Sequence, residues 1–361
     1  MRENFEMKIA FFFTVNKGLL SKYFESLATY MAEKGHEVVL FSFKGSAAVK
    51  IKNDVRYVSV EKGSYLKNYS NIYRFLKQEQ PSVIITNFNY LNPSILFAKL
   101  LGVGKIIAWQ HTSTKHNKSS KRQIAIKRWF LRKADTVVVN SKLLGDEMAE
   151  VFRIPANRIT RLPFFTAIAG CEPQKIDDLA EDALYIGCPG RLLKDKNQRT
   201  LLEAFAEVKK NNPTTHIKLV FAGTGPDTEY LKQRAAALQL SDLVLFLGML
   251  SAEEMAYFYK RIDLAVFPSK HEAFGLVLIE AMALETPFLV SNVFGALQFL
   301  PEEFVTNSEL IFNPENGNEL AVKIEKHVKG HHVDLISVRN MYDKTFSKVA
   351  ILKAFESIVN R

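Results

Sequence analysis

Short apolar runs recur along the whole chain, and between them lie stretches whose apolar positions fall at helical spacing. KIAFFF, HEVVLFSF, SVIITNF, KIIAWQH and DTVVVNS occupy the first half; ALYIGCPG, IKLVFAGTGP, LVLFLGML, DLAVFPS and PFLVSN occupy the second. A parallel sheet requires this alternation, because each strand must cross back over the sheet before the next can pair with it. The first unit shows the pattern. KIAFFF reads as a buried strand and TVNKG as a turn. The helix that follows carries Leu20, Phe24, Leu27, Ala28 and Met31 on one face and stops at Gly35. The series restarts near residue 183, and 361 residues exceed one ordinary domain. The expectation is α/β architecture: two Rossmann-like, doubly wound parallel-sheet domains, over 1–165 and 166–344. TAIAGCEPQKIDDLAED reads as the linker, and the final helix, about 345–361, is assigned back to the first domain. No solenoid repeat or low-complexity segment is visible.

Apolar content of 47% with 24% charged residues is that of a soluble globular chain. Cys171 and Cys188 have no metal-ligand spacing and form no evident framework, which points to a reducing compartment. Charged residues precede the first apolar run, so no signal peptide is read, and no window is apolar enough to span a bilayer. The expected location is the cytoplasm, on a membrane surface if anywhere. The net charge of +10 is uneven: residues 1–165 hold 27 Lys/Arg against 12 Asp/Glu, and the remainder 21 against 26. The first half is therefore expected to meet something anionic, whether nucleic acid, lipid or phosphorylated substrate.

Ligands of doubly wound sheets collect at the C-terminal ends of the strands. GRLLKDKNQ follows such an end and supplies Arg191 and Lys196, a fork and a mobile point charge that suit a diphosphate; a solvated basic turn is the plain alternative. In GTGP, Gly223 and Gly225 permit close backbone approach to a ligand, or simply a tight turn, and Gly18 is similar. HEAFGLVLIEAMA places Glu272 in a loop and the amides of Phe274, Gly275 and Leu276 at a helix N-terminus, where an anion is favoured. Glu280 sits a turn or two further in. There it needs partners such as sugar hydroxyls, unless it lies on an exposed stripe and Glu272 merely neighbours a cap. His111 closes KIIAWQH at a strand end, structural or functional on equal terms.

Taken together these residues resemble the retaining glycosyltransferases of family 4, with the GT-B fold. The most specific feature is the E-x7-E element, Glu272 to Glu280 within HEAFGLVLIEAMA. GRLLKDKN, AGTGP, FLG with the following Met-Leu, VFPSKHEAFG, WQHTS and VVVNS match further elements, so the likeness covers most of the chain and is strongest over 185–295. The resemblance implies that Arg191 and Lys196 hold a donor diphosphate and that Glu280 bonds the ribose. Glu272, a catalytic residue on this likeness, would orient the donor sugar or support the charge forming at its anomeric carbon, and Phe274, Gly275 and Leu276 would offer amides. His111 would face donor sugar and acceptor, and Gly18 would let the first loop close over the phosphate. Gly190, Gly223, Gly248 and Leu250 would line the nucleotide pocket. It also implies transfer with retention from a nucleotide-sugar, by default a UDP-sugar, to a glycan or lipid-linked acceptor in bacterial surface polysaccharide or lipopolysaccharide synthesis. No metal or other cofactor is implied, because two cations and a helix N-terminus meet the charge growing on the leaving diphosphate. The chain departs from many relatives in having Gly18 alone in NKGLL and Gly295 alone in VFGAL.

KHNKSSKRQIAIKRWFLRKAD mixes seven or more cations with Ile124, Ile126, Trp129, Phe130 and Leu131. It is either a helix packed on the sheet with a solvated basic face, or an attachment to an anionic membrane through Lys118, Lys121 and Arg122. Other GT-B activities, an epimerase or an inverting transferase, are disfavoured by the E-x7-E element. A nucleic-acid-binding protein lacks support, since no stacking motif or helix-turn-helix pattern is present.

Overall fold

A computed structural model describes the chain except for residues 1–5, 17, 45–47, 113, 115–119, 180–182 and 332–333. It divides into two units, Met1–Phe164 with Ile351–Arg361, and Phe165–Ala350. In the first, the strands are β1 (Lys8–Phe12), β2 (Glu37–Ser42), β3 (Ala48–Lys52), β4 (Val55–Ser59), β5 (Val83–Asn87), β6 (Lys105–Gln110), β7 (Thr136–Val139) and β8 (Ile159–Arg161). They are ordered β3-β4-β2-β1-β5-β6-β7-β8, and all neighbours are parallel except β3 with β4. The helices are α1 (Leu19–Glu33), α2 (Tyr65–Glu79), α3 (Leu91–Leu100), α4 (Lys121–Leu131) and α5 (Lys142–Glu150).

Side-chain alternation assigns the two faces of this sheet. Phe12, Phe41, Ile84, Ala108, Val137 and Val139 share one core with Ile72, Leu76 and Ile95 of α2 and α3. Phe11 and Trp109 lie on the opposite face, where Phe24 of α1 meets Trp109 at 5.0 Å. Of the α1 residues read as inward-facing, Phe24, Leu27, Ala28 and Met31 are buried, while Leu20 is only half-buried.

The second unit holds β9 (Leu184–Pro189), β10 (Ile217–Ala222), β11 (Val244–Gly248), β12 (Leu264–Phe267), β13 (Phe288–Ser291) and β14 (Ile311–Phe312). The order is β11-β10-β9-β12-β13-β14, parallel throughout. Its helices are α6 (Gln198–Asn211), α7 (Thr228–Ala237), α8 (Ala252–Arg261), α9 (Leu276–Ala283), α10 (Glu302–Asn307), α11 (Gly317–Val328) and α12 (Leu335–Thr345). The last helix, α13 (Lys348–Asn360), belongs over most of its length to the first unit. The stretch read as a linker is no free tether: Ile168, Ile176 and Leu179 are buried in the second unit, and the Gln174 amide donates to the Glu253 carbonyl at 3.1 Å.

Each sheet reverses its strand order once. The reversal falls at β1, between β2 and β5, and at β9, between β10 and β12. Connections leave to opposite sides there, so the strand ends open a crevice in which ligands of such sheets bind.

Candidate active site

At the reversal in the second sheet, β9 and β12 lie side by side, and the loops leaving them carry Arg191, Lys196 and Glu272. Several bonds fix those loops. Asn197, the left-handed residue before α6, donates its side-chain amide to the Pro268 and Pro314 carbonyls, each at 3.0 Å. The Lys270 amide donates to the Asp195 carbonyl at 2.8 Å, and Ser291 Oγ to the Ser269 carbonyl at 2.7 Å. The result places Lys196 Nζ in an ion pair with Glu272 Oε2. The two residues assigned separately, one to phosphate and one to sugar, are therefore joined in this structure. Arg191 is exposed, with no side-chain partner among the described residues, while Gln198 Nε2 holds its carbonyl at 3.0 Å.

α9 begins at Leu276 behind Gly275, whose φ of +96° suits glycine alone. A Cβ there would sit 2.2 Å from the Phe294 ring and 3.1 Å from Glu272 Cγ, so a side chain is excluded by space as well. Gly295 N donates to the Glu272 carbonyl at 3.2 Å and Ala296 N to the Phe274 carbonyl at 2.8 Å, strapping the loop to the end of β13. The amides of Gly275, Leu276 and Val277 have no acceptor among the described residues, as expected of a first helical turn. The Phe274 side chain turns into the core, against Phe299 and Phe346, each at 6.1 Å.

Glu280, one turn in, accepts from Tyr259 Oη at 2.9 Å. Burial pushes its carboxyl above the usual range, and the tyrosine bond draws it back in part. Tyr259 is fully enclosed, and the Val277 carbonyl, 3.2 Å from its oxygen, shares the single hydroxyl hydrogen with Glu280. Tyr259 and Asn197 were not read from sequence. Asn197 stood within GRLLKDKNQ, but Tyr259 lies on another helix with no motif around it.

The glycines of GTGP serve the protein's own backbone. A Cβ on Gly223 would lie 2.0 Å from the Gly190 carbonyl oxygen, and the Gly190 and Leu192 amides donate to the Ala222 and Thr224 carbonyls at 2.8 and 3.1 Å. The close approach they allow is to the adjacent loop after β9. Gly223 also bridges Gly248 at the end of β11, and Leu250, two residues on, is half-buried. Cys188 is buried, with its thiol pushed up to about 12, and is inert at neutral pH.

In the first unit, Gly18 is the N-cap of α1, and its amide donates to Asn16 Oδ1 at 2.7 Å. His111 follows β6 and is buried among Phe88, Phe164 and Trp109, at 4.9, 5.8 and 6.0 Å between ring centres. Neither ring nitrogen has a partner among the described residues. Burial, with the Lys127 charge second, holds the imidazole down to about 3, so it acts as a neutral group and not as an acid-base catalyst at neutral pH. Lys121 and Arg122 open α4 and are exposed; Lys118 lies outside the described residues. Of the apolar residues of that helix, Leu131 is buried and Ile124 and Phe130 pack on the core, but Ile126 and Trp129 face solvent at 44% and 53% exposure. No helix among the described residues is long and apolar enough to cross a membrane, and no group of three His, Cys, Asp or Glu is placed to hold a metal ion.

Two doubly wound parallel sheets, with cations, open amides and two carboxylates at one strand-order reversal, define an α/β protein of the GT-B fold. Comparison with known proteins gives the family. Glycosyl transferases group 1 matches residues 172–344, and Glycosyltransferase Family 4 matches residues 20–165. The chain belongs to these group 1/family 4 glycosyltransferases, a family of transferase enzymes. It is 29% identical over 194 residues to the alpha-monoglucosyldiacylglycerol synthase of Streptococcus pneumoniae, covering 48% of this chain and 43% of that one. It is 30% identical over 197 residues to the capsular polysaccharide biosynthesis glycosyltransferase CapM of Staphylococcus aureus, covering 52% and 48%. The chain spans about half the length of the curated relatives it matches. Among solved structures, Anabaena HepE in complex with UDP superposes with a TM-score of 0.78 at 14% identity, over 98% of this chain and 99% of that one.

Proposed function

We propose that the protein transfers a sugar from a nucleoside-diphosphate donor, a UDP-sugar by default, to a glycan or lipid-linked acceptor, with retention of anomeric configuration and without a metal ion. The observation that carries this is the reversal in the second sheet: Arg191, the Lys196–Glu272 pair, the open amides behind Gly275 and the Tyr259-held Glu280. On this reading, which follows the family resemblance, Arg191, Lys196 and the start of α9 meet the diphosphate, Glu280 the ribose and Glu272 the sugar. As the anomeric carbon–oxygen bond breaks, charge grows on the leaving phosphate, where a fork, a point charge and a helix N-terminus already converge. The acceptor oxygen attacks on the face the phosphate leaves, and its proton passes to a departing phosphate oxygen. No side-chain base is then required, which agrees with a neutral His111.

The Streptococcus and Staphylococcus relatives act in glycolipid and capsule synthesis, and the Anabaena protein binds UDP, which supports a role in bacterial surface-glycan assembly. Lys121, Arg122 and the outward Ile126 and Trp129 of α4 support a peripheral seat on the cytoplasmic face of an anionic membrane. Binding to anionic vesicles is expected to fall when Lys121 and Arg122 are replaced by alanine.

The test of the transferase reading is thermal. UDP is expected to raise the melting temperature, and Arg191→Ala to weaken UDP about tenfold or more, because a charge-assisted bond is lost. Product analysis with the donor that turns over must show a retained anomer. An inverted product, or a shift produced by single-stranded DNA and not by UDP, would overturn the reading.

A further inference from the structure

Behind the loops of the second unit lies a buried hydroxyl that packing alone does not explain. Tyr259, near the C-terminal end of α8, is 1% exposed. The preceding residue, Phe258, fills an equally buried place with a ring that carries no hydroxyl. A hydroxyl removed from water costs free energy unless it is bonded. The two acceptors that Tyr259 Oη meets both lie on the first turns of α9: Glu280 Oε2 at 2.9 Å and the Val277 carbonyl at 3.2 Å. The hydroxyl therefore fixes the side chain of Glu280 relative to the start of its own helix.

Tyr259 is itself held on a rigid frame. Thr286 Oγ1 donates to its carbonyl at 2.8 Å, from the turn after α9. α8 opens on a capping box of Ser251 and Glu254, and its far end lies hard against β9. A Cβ on Gly187 would stand 2.7 Å from Phe258 Cζ and 2.6 Å from Ile262 Cδ1, so the glycine lets the helix come that close. β9 is also the strand whose following loop carries Arg191 and Lys196. From those cations to Glu280 the path runs through one strand, one helix and one hydroxyl, each packed on the next. Only one carboxylate oxygen is taken up by this frame. Glu280 Oε1 has no hydrogen bond among the described residues, and the residue as a whole is half-buried, so that oxygen is open to a ligand. A glutamate free to turn loses rotamer entropy when it binds, whereas one pinned through Oε2 has its orientation set beforehand.

We infer that Tyr259 is a positioning residue for the nucleotide: its hydroxyl holds Glu280 Oε2 so that Oε1 faces the ribose, and the preference of the site for ribose over deoxyribose depends on it. The inference rests on the placement of ribose at Glu280 in the transferase reading. Enclosed as it is, Tyr259 touches no ligand and acts through the carboxylate alone. The effect of removing its hydroxyl is therefore confined to ligands that carry both ribose hydroxyls, and it vanishes once Glu280 is gone.

The test compares UDP with 2′-deoxy-UDP and 3′-deoxy-UDP by titration calorimetry. The parent protein is expected to bind UDP about tenfold more tightly than at least one deoxy compound, since a hydrogen bond to a charged acceptor goes with the hydroxyl. Tyr259→Phe keeps the ring and removes only the oxygen. It should bring UDP to within about threefold of that deoxy compound. Its affinity for the deoxy compound should stay that of the parent, which a misfolded or generally loosened site would not show. Glu280→Ala should abolish the preference, and Tyr259→Phe should add nothing in that background. Tyr259→Met, which fills the space without a hydroxyl, takes the place of the first variant if that one does not fold. A preference for UDP undiminished in the Tyr259 variant, or an equal loss for UDP and the deoxy compounds, would overturn the positioning role. The failures are separable. No UDP binding by the parent sinks the transferase reading. UDP binding without a preference, or a preference that survives Glu280→Ala, sinks the ribose placement and the role of Tyr259 with it. A preference lost in Glu280→Ala but kept in Tyr259→Phe sinks the role of Tyr259 alone.

Discussion

The His111 imidazole titrates near 3 in the folded protein, against 6.5 in an unperturbed chain, because burial and then the Lys127 charge disfavour the imidazolium. The sign of the stability effect follows directly. Between those values the unfolded state binds the extra proton, so stability is complete above 6.5 and is lost as pH falls toward 3. The slope reaches about 1.4 kcal/mol per pH unit at most. His111→Phe keeps an aromatic ring against Phe88, Phe164 and Trp109 and removes the titration. Urea unfolding followed by Trp109 fluorescence is expected to show the variant losing about 2 kcal/mol less than the parent between pH 6.5 and 5. Identical losses would show that His111 is not held neutral. The residue itself was legible in the sequence as a polar group at a strand end. Its burial, its neutrality and the company of Asn87 and Asn140 were not, because they depend on register between strands distant in the chain.

At the scale of elements, the loop-to-helix turn into α9 carries the most geometry per residue. Gly275→Ala would force a left-handed alanine and drive its Cβ into the Phe294 ring, at 2.2 Å. The cost should be about 2–4 kcal/mol, and the helix start would move away from Glu272. The expected outcome is a lower melting temperature together with loss of the UDP shift. A variant that keeps both would mean that the turn tolerates a side chain, and the argument from its shape would fail. This turn was legible because HEAFG followed by an apolar helix places glycine, carboxylate and helix start within a few residues. The β3–β4 hairpin was not. Its turn uses Asn53 and Asp54 at φ 49° and 58° with no glycine, and Val49, Ile51 and both lysines of β3 face outward, so no buried run marks the strand. β8 and β14, at three and two residues, are too short to leave a pattern. GTGP was legible as a turn but not in purpose, since the carbonyls its glycines accommodate belong to the loop after β9.

At the scale of the whole molecule, neither unit is simply one half of the sequence. The chain completes the second unit and returns through α13 to the first, where Ile351, Phe355, Ile358 and Val359 are buried. Phe355 lies 6.1 Å from both Phe11 and Trp109, so it closes the sheet face that carries Asn87 and His111. Lys105 Nζ donates to the Ile358 and Val359 carbonyls at 2.7 and 2.9 Å, a cation on the last turn of the helix where the dipole favours it. Tyr30 Oη donates to Glu356 at 2.6 Å from α1. Phe355→Ala should therefore cost the first unit about 3–5 kcal/mol, as for a fully buried phenylalanine. A chain of two units need not unfold in one step, which makes the effect separable by location. The variant is expected to lower the Trp109-reported transition while the UDP-stabilised transition of the second unit stays in place, since Arg191, Lys196, the start of α9 and Glu280 all belong to the second unit. The fragment 165–350 is expected to keep the UDP shift, and the fragment 1–164 to fail to fold without the helix that covers Phe11 and Trp109. If Phe355→Ala lowered both transitions equally, the two units would share their stability, and the division of the chain at 164 and 351 would not be a division of its folding.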